Sequence, residues 1–387
     1  MKEWIQFLLI ILAFWSFMII AKPFLPKSIE VRPFYLMWRT TRFNKFIEKS
    51  GDKLKSFWKI IWNIGIAICL GGSIYITYIL SKNLYSLLFN IEEASPVSLL
   101  IPGITITPTF NTLLFFSLSI VIILISHEFS HGVAARAEGI KIKSTGLILL
   151  AIIPGAFVEP DEESLNNSRK ISQARVYAAG STANIIIALI ALILLLNGDL
   201  LISPFYETSS SGILITGIVP GSPADGILNN WDVIIGINEY KILEVRDLEK
   251  ILKSINPGSL VELHILRGGK IESLNMILGK SPTTNYSYIG VYIYPYYAPK
   301  YALLPSFLPF YLFNSLNWIY MLSLSVGLIN IMPIPALDGD KLINVILKYL
   351  FKNRSSIIYN VIRWYCLMIL ILNISFSFIA FPSFKLS

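Results

Sequence analysis

Residues 113–136 read LLFFSLSIVIILISHEFSHGVAAR, a helix-length segment without a charged residue until the letters HEFSH. In a helix, residues four positions apart lie on the same face, so His127 and His131 can both reach one metal ion, with Glu128 beside them. The pattern H-E-x-x-H is a signature of metal-dependent hydrolases. Here it is found within an apolar stretch that is long enough to cross a membrane.

A chance pattern is the alternative to a metal site. With only three histidines in 387 residues, an accidental H-E-x-x-H has a probability of about one in a thousand. A charged group inside a membrane helix also costs on the order of 3 kcal/mol, so such groups usually mark function. The motif and its location together predict a metal centre.

Composition places the chain among membrane proteins that cross the bilayer several times. Hydrophobic residues make up 54% of the sequence and charged residues only 14%. The two cysteines, Cys69 and Cys366, both lie in apolar runs and are interpreted as small buried side chains. Neither a disulfide framework nor a cysteine-rich metal site is indicated.

Six apolar stretches approach the ~20 residues that a membrane-spanning helix needs. They lie near residues 4–21, 60–80, 112–135, 174–196, 306–329 and 357–380. The first resembles a signal peptide, but it lacks a small-residue cleavage site and a basic segment follows it, which favours a retained anchor. We therefore expect six transmembrane helices.

The distribution of Lys and Arg predicts the orientation. Residues 22–59 carry ten, residues 136–175 six and residues 341–363 five, whereas the 82–111 connection has only Lys82. By the positive-inside rule the three basic connections are cytoplasmic, and both termini lie outside. The net charge of +8 then reflects topology, and a nucleic-acid partner is not required. We expect 22–59 to lie along the anionic inner leaflet as an interfacial helix that contacts lipid.

A broken apolar segment follows the motif helix. Residues 145–158 read TGLILLAIIPGAFV, which is too short and too interrupted to cross a membrane. We predict a re-entrant hairpin, which is tolerated at membrane depth only where it is packed in protein or lines a cavity. Such an extended element could pair with an unwound substrate strand. The alternative is a shallow loop at the interface.

The next helix opens with small residues and an amide, AAGSTAN at 178–184. Small residues permit close helix packing, which is their default role. Asn184 could hydrogen-bond a substrate backbone or a neighbouring helix, and the sequence does not separate the two.

Residues from Gly212 to about Gly279 have the character of a soluble domain. Alternating apolar residues predict strands at 213–219, 232–237, 260–266 and 271–278, with an amphipathic helix at 246–254. This arrangement resembles a PDZ domain of the protease-associated kind, notably in the sequence GIVPGSPAD at 217–225. Trp231 stands where such domains usually have a glycine, so that turn is expected to differ.

PDZ-like domains take extended peptides by strand addition and often capture a terminal carboxylate. The alternative here is a plain spacer. We interpret His264 as an ordinary strand residue. The tyrosine-rich segment at 286–301 is interpreted as an aromatic belt at the outer interface.

Two histidines do not complete a catalytic zinc site, which needs three protein ligands and an open position. No third histidine is expected at that depth, so the candidate is Asp338, in the proline-broken sequence NIMPIPALDGD at 330–340. An N-cap of the next helix is an alternative role for Asp338, although Asp340 would fill that role as well. Glu138 is a weaker candidate ligand.

With these motifs, the chain resembles the site-2 protease family of intramembrane metalloproteases. The resemblance rests on H-E-x-x-H in a membrane helix, on N-x-x-P-x-P-x-L-D-G late in the chain, and on a PDZ-like insertion between them. It implies that His127, His131 and Asp338 bind one zinc ion and that Glu128 is the general base. It also implies substrate contact by Asn330 and, more loosely, by Asn184 and Gly180.

The expected fold is a polytopic α-helical membrane protein of six transmembrane helices and a re-entrant hairpin, with an inserted α+β PDZ-like domain. The expected domains are two N-terminal helices at 1–110, a first catalytic part at 111–200, the PDZ-like domain at 210–282 and a second catalytic part at 303–387. The PDZ-like domain is expected outside the cell, and the site within the bilayer towards the cytoplasm.

The expected activity is zinc-dependent cleavage of single-span membrane proteins in or near their transmembrane segments, as in regulated intramembrane proteolysis. One rival is a membrane metalloprotease that trims prenylated or signal-peptide substrates, which typically takes a glutamate as third ligand. A second rival is a non-catalytic scaffold that binds peptides through the PDZ-like domain, although binding alone needs no general base. A metal transporter would need further ionisable residues across the helices.

Overall fold

The computed structural model describes residues 2–101, 105–106, 109–151, 153–282, 284–352 and 355–382. Within this part of the chain, five helices are long and apolar enough to cross a membrane. The chain divides into two compact units. The first comprises 1–191 and 318–387, and the second comprises 192–317.

The first unit begins with helix α1 (Lys2–Ala21), which covers the first predicted span. Strands β1 (Ile29–Arg32) and β2 (Tyr35–Thr40) form an antiparallel hairpin, with Phe34 at φ 57° in the turn. The short helix α2 (Asn44–Lys53) and the long helix α3 (Lys55–Phe89) follow.

The expectation of one interfacial helix over 22–59 is wrong, because residues 29–40 are strands and α2 is only ten residues long. The free edge of β2 in this hairpin pairs with a strand that is distant in sequence. Strand β2 pairs with β3, which lies over one hundred residues later, and the basic composition of the segment does not reveal this pairing.

Helix α4 (Phe110–Ala137) carries the metal motif. It begins at Thr109, whose hydroxyl accepts a hydrogen bond from the Thr112 amide at 3.2 Å, and it ends before Gly139 at φ 81°. Strands β3 (Ile142–Leu150) and β4 (Ile153–Pro160) follow as an antiparallel hairpin, as the broken apolar segment predicts. The sheet order β1-β2-β3-β4 places β4 at an edge. The depth of the hairpin in the bilayer stays a prediction.

Helices α5 (Glu162–Asn167) and α6 (Lys170–Leu196) complete the first half of the unit. Alanine, glycine and serine bring α6 close to its neighbours. A side chain at Gly65 of α3 would approach Thr182 to 2.3 Å, and one at Gly327 would lie 3.2 Å from Ile185. Short side chains therefore let the backbones of these helices pack closely.

The second unit contains a six-stranded antiparallel sheet. Its elements, after the short helix α7 (Gly198–Ile202), are β5 (Ile213–Ile218), β6 (Val233–Ile237), β7 (Tyr240–Lys241), α8 (Val245–Ser254), β8 (Leu260–Arg267), β9 (Lys270–Ile277), β10 (Gly279–Lys280), β11 (Ser287–Tyr288) and β12 (Val291–Pro295). The order is β12-β5-β6-β8-β9, with β7 paired to β6. The four predicted strands and the helix all form.

The tyrosine-rich segment at 286–301 contributes a strand to the sheet, and its place as an aromatic belt at the outer interface stays a prediction. Residues 291–295 are strand β12, which pairs with β5 and so belongs to the sheet, beyond the domain end expected at 282. Tyr292 and Tyr294 lie on the same face of this strand, opposite Val291 and Ile293, which pack against the core of the sheet.

Trp231 departs from the usual glycine and lies in the left-handed region at φ 74°. Its indole contacts Phe307, Phe310 and Tyr311 with ring centroids 5.0, 5.8 and 5.6 Å away. A non-glycine residue in this conformation carries a cost of about 1–2 kcal/mol, which the aromatic packing offsets.

The chain ends with α9 (Leu308–Asn330), α10 (Asp338–Phe351) and α11 (Ser355–Ala380). Residues 331–337 are irregular around Pro333 and Pro335, with Ala336 at φ 74°. Helix α10 therefore begins at Asp338. Asp340 is not the N-cap, since Leu337 holds that position and Asp340 lies in the first turn, where it accepts a hydrogen bond from Tyr359 and pairs with Arg363.

Candidate metal centre

Three side chains from α4 and α10 converge on one point. The Nε2 atoms of His127 and His131 lie 3.2 Å apart, and each lies 3.0 Å from Oδ2 of Asp338. Tetrahedral zinc with bonds of 2.0–2.2 Å separates its ligand atoms by roughly 3.3 Å, so this triangle fits a metal ion closely. Two imidazoles and a carboxylate are also the N and O donors that zinc accepts. The residues are thus suited to hold a metal ion.

A backbone contact fixes the tautomer of His131. Its Nδ1–H donates to the carbonyl of Val176 on α6 at 2.7 Å. A proton on Nδ1 leaves Nε2 with a lone pair directed at the metal position. Helix α6 therefore orients a residue of α4.

Gly180 on α6 lies directly against the two imidazoles. A Cβ at this position would stand 2.4 Å from Nε2 of His131 and 2.6 Å from Nε2 of His127. Such distances are far below van der Waals contact, so the rings would have to move. The absence of a side chain at Gly180 keeps the room that the metal ligands occupy.

We expect Gly180→Ala to weaken metal binding by at least tenfold, because the methyl group displaces both imidazoles by a large part of an ångström. Metal content of the purified protein, by mass spectrometry of dissolved metal, measures this. Gly71→Ala is the matched control, since a Cβ at that helical glycine meets nothing within 4 Å. Equal metal content in the two variants would contradict the role given to Gly180.

Asn184 supports the other histidine. Its side-chain amide is fully buried and lies 3.1 Å from Nδ1 of His127, while its Oδ1 has no partner among the described residues. An imidazole that gives Nε2 to a metal carries its proton on Nδ1 and needs an acceptor there. A turn of the amide by 180° supplies Oδ1 as that acceptor. From the sequence, Asn184 could bond either a substrate backbone or a neighbouring helix. The structure shows the contact with a neighbouring helix, α4, and substrate contact by Asn184 stays a prediction.

An acceptor role for Asn184 has a specific consequence. Asn184→Asp keeps an oxygen beside Nδ1–H and is expected to retain metal, whereas Asn184→Leu removes it and is expected to reduce metal affinity about 10–100-fold. Competition of each variant against a zinc chelator gives the two affinities. If the aspartate and leucine variants lost metal equally, Asn184 would only fill space.

Glu128 lies beside the triangle on a cavity of about 660 Å³. Its Oε2 accepts a hydrogen bond from the backbone N–H of Val158 on β4 at 3.1 Å. The cavity is lined by the three candidate ligands together with Asn330, Tyr177 and Lys341. A carboxylate held beside a metal position and open to a cavity can act as a general base.

The residues of this site fall within a match to a known family. The profile of Peptidase family M50 matches residues 115–373, about two thirds of the chain. The chain belongs to peptidase family M50. The M50 match begins within α4 and ends within α11, so it includes both halves of the site.

The predicted resemblance to site-2 proteases is confirmed by the M50 match and by the names of two relatives. The uncharacterized protein MJ0971 of Methanocaldococcus jannaschii is 31% identical over 330 residues, 83% of this chain and 80% of that protein. A membrane-bound transcription factor site-2 protease homolog of Arabidopsis thaliana is 27% identical, over 57% of this chain and 44% of that protein. A protein of Fusobacterium nucleatum named as a zinc metalloprotease is 24% identical, over 57% of this chain and 79% of that protein.

Part of this M50 protein is similar to a PDZ domain among the solved structures. A solved PDZ domain of the SdrC-like protein from Listeria innocua is 22% identical, with 21% of this chain and 93% of that chain covered and a TM-score of 0.21.

Two other residues considered from the sequence, Glu138 and His264, have partners outside the metal triangle. Glu138 caps the end of α4, where Arg175 lies 2.7 Å and the Ser172 hydroxyl 2.5 Å from its carboxylate, and no contact between Glu138 and the three candidate ligands occurs among the described residues. His264 bonds to Ser273 and to the Asn238 carbonyl within the second unit, as an ordinary strand residue.

Sequence reasoning missed two groups at the M50 site. They are the Val176 carbonyl and the Val158 N–H, both backbone atoms. Every residue carries a backbone carbonyl and every residue except proline a backbone N–H, so no residue type could have signalled them.

Proposed function

We propose that this M50 protein is an intramembrane zinc endopeptidase that cleaves single-span membrane proteins in or near their transmembrane segments. The observation that carries the proposal is the convergence of His127, His131 and Asp338 from two helices, with Glu128 beside them on an open cavity. Zinc bound by one nitrogen or oxygen atom from each of the three residues would lower the pKa of water and polarise a scissile carbonyl.

Glu128 is proposed to move the proton. Its carboxylate takes a proton from the attacking water and passes it to the leaving amine, so the same group acts first as base and then as acid. Val158 N–H holds this carboxylate at 3.1 Å before substrate arrives. The Val176 carbonyl accepts from Nδ1–H of His131, and Oδ1 of Asn184, once its amide is turned, accepts from Nδ1–H of His127, which leaves both Nε2 atoms free to bind metal.

Strand β4 is proposed to receive the substrate. It pairs with β3 on one side, and the Val158 N–H on the other side points to α4. A helix in lipid has its backbone carbonyls bonded internally, so cleavage requires local unwinding. An unwound segment that adds to β4 would regain backbone hydrogen bonds and would compete with Glu128 for Val158 N–H, which frees the carboxylate for catalysis. Asn330, on the cavity wall, is proposed to contact this segment.

The PDZ-like domain is proposed to act on the outside part of the substrate. Strand β12 lies at one edge of the sheet, with α8 beside it, which is the arrangement that takes an extended peptide by strand addition. This supports capture of a C-terminus that an earlier cut has released. The alternative is that the PDZ-like domain acts as a size filter, which keeps substrates with bulky outside domains away from the metal site.

The proposed location is the cell membrane, with both termini and the PDZ-like domain outside and the metal site nearer the cytoplasmic face. His127 is the eighteenth residue of α4, or about 26 Å from its start at 1.5 Å per residue. The excess of Lys and Arg in the connections on the other side supports this orientation.

A cleavage assay tests the proposal. The full-length protein in detergent, given a single-span substrate, should cut it; a zinc chelator should abolish cutting, and about one equivalent of Zn²⁺ should restore it. A substrate with a Gly-Pro pair near the cut should be cleaved faster than one with a leucine-rich helix there. Undiminished cleavage by metal-free protein would exclude the zinc mechanism, and equal rates for the two substrates would exclude the unwinding step.

A further inference from the structure

A second cavity of about 540 Å³ lies away from the metal centre, between α3, α6 and α10. Its walls are apolar, with Ile66 from α3 and Val345 and Ile346 from α10. Ile171, Tyr349 and Leu350 line it and remain exposed, with 46%, 72% and 60% of their surface accessible. This volume is in the range of cavities that hold small ligands.

Two cations stand at the rim of this groove, Arg169 and Lys170 at the start of α6. Two arginines nearby on α4 and α6 do have carboxylate partners: Arg136 with Asp52 at 2.6 Å and Arg175 with Glu138 at 2.7 Å. In the described part of the chain Arg169 and Lys170 have no such ion pair, and Lys170 makes a 3.5 Å contact with the Gln173 amide oxygen. The rim therefore carries two positive charges that the fold does not neutralise.

The position of the rim identifies the chemistry of a ligand. Lys170 is the first residue of a 27-residue helix that is apolar enough to span a membrane, so the cations lie where such a span meets the headgroup region. An amphiphile with an anionic head and an apolar tail matches cations at the rim and apolar walls below.

The length of the groove argues against a helix as occupant. At the start of α6 it extends from Arg169 to Ala174, six residues or about 7.5 Å. A transmembrane partner helix would contact its neighbour over much of a 30 Å bilayer core. We propose that the groove binds one anionic phospholipid, with its phosphate at Arg169 and Lys170 and an acyl chain between α6 and α10.

The proposed lipid site shares helices α6 and α10 with the metal centre. Helix α6 carries Val176, Gly180 and Asn184, which support the histidines, and helix α10 begins with Asp338. A lipid in the groove packs against both helices. The inference does not rest on proteolytic activity, because its test measures bound lipid.

The test uses the full-length protein in nanodiscs of phosphatidylcholine with 20% phosphatidylglycerol, followed by native mass spectrometry of the extracted protein to count retained lipids. We expect the wild type to retain one phosphatidylglycerol with preference over phosphatidylcholine. Arg169→Gln with Lys170→Gln should reduce its affinity roughly thirtyfold, since each such cation near anionic lipid contributes about fivefold. Ile171→Trp, which narrows the apolar part, should reduce retention while both charges remain.

The matched control is Arg42→Gln with Lys45→Gln, which removes two exposed charges from another basic segment of the same unit. Retention equal to the wild type is expected for this control. Loss of lipid from the control as large as from the Arg169 and Lys170 variant would overturn the proposal, because lipid would then follow total charge. Unchanged lipid retention in Ile171→Trp would also overturn it, since the groove would then not hold the retained lipid.

Discussion

Replacing Glu128 with glutamine is expected to lower cleavage of a single-span substrate by about 10²- to 10⁴-fold and to leave the zinc content unchanged. Glutamine has the same shape, and its amide oxygen can still accept the hydrogen bond from Val158 N–H. It cannot take up a proton, so the path from water to the leaving amine is lost. Initial rates and metal analysis on the same sample measure both effects.

Glu159→Gln is the matched control for this experiment. Glu159 also lines the 660 Å³ cavity beside the metal position. Its carboxylate accepts a hydrogen bond from the Ser144 hydroxyl at 2.5 Å and lies 3.7 Å from Arg39. It is expected to keep most of the activity. A loss of activity as large in Glu159→Gln as in Glu128→Gln would show that negative charge in the cavity matters rather than proton transfer by one group.

Replacing Asp338 with asparagine is expected to weaken zinc binding by at least 100-fold, equivalent to about 2.7 kcal/mol, and to abolish cleavage. The neutral amide oxygen is a poorer ligand than the carboxylate oxygen that stands 3.0 Å from both histidine Nε2 atoms. Titration against a chelator of known affinity gives the loss. Full zinc binding by this variant would favour the rival class of membrane metalloproteases, in which a glutamate is the third ligand.

Asp340→Asn separates the loss of a ligand from the loss of a buried charge. Asp340 lies two residues later on the same helix, accepts the Tyr359 hydroxyl at 2.7 Å and lies 3.3 Å from Arg363. Its replacement is expected to lower thermal stability, because the Arg363 pair is broken, and to leave zinc binding intact. Loss of zinc from both variants to the same degree would mean that the start of α10 is unfolded in each.

Much of the site was predictable because its signals are local. The motif residues His127, Glu128 and His131 lie within one helical turn, and a helix has a fixed period that places them on neighbouring positions. Asp338 lies over two hundred residues later. It was predicted from the sequence because ligand number, charge and the proline-broken segment left few candidates.

The residues that position the two histidine ligands could not be predicted in the same way. Gly180 and Asn184 appeared as small residues and an amide at a helix start, which fit packing and binding equally well. Their contacts with the histidines depend on the rotation of α6 about its axis, which the packing of several helices sets together. The strands at 29–40 and 291–295 were not predicted for a related reason. A strand gains its hydrogen bonds from partner strands, and these partners need not be close in sequence.

The sequence by itself determined that the chain has membrane-length apolar helices, that a metal motif lies in one of them, and that an α+β segment lies between the two parts of the chain that carry the candidate metal ligands. Periodicity, charge and residue type carry these properties, and each acts over a few residues. The tertiary structure alone decided that Val158 holds Glu128, that Val176 and Asn184 orient the histidines, and that Gly180 leaves room for them. These are contacts of backbone atoms and empty space between distant segments, and only the packed fold brings them together.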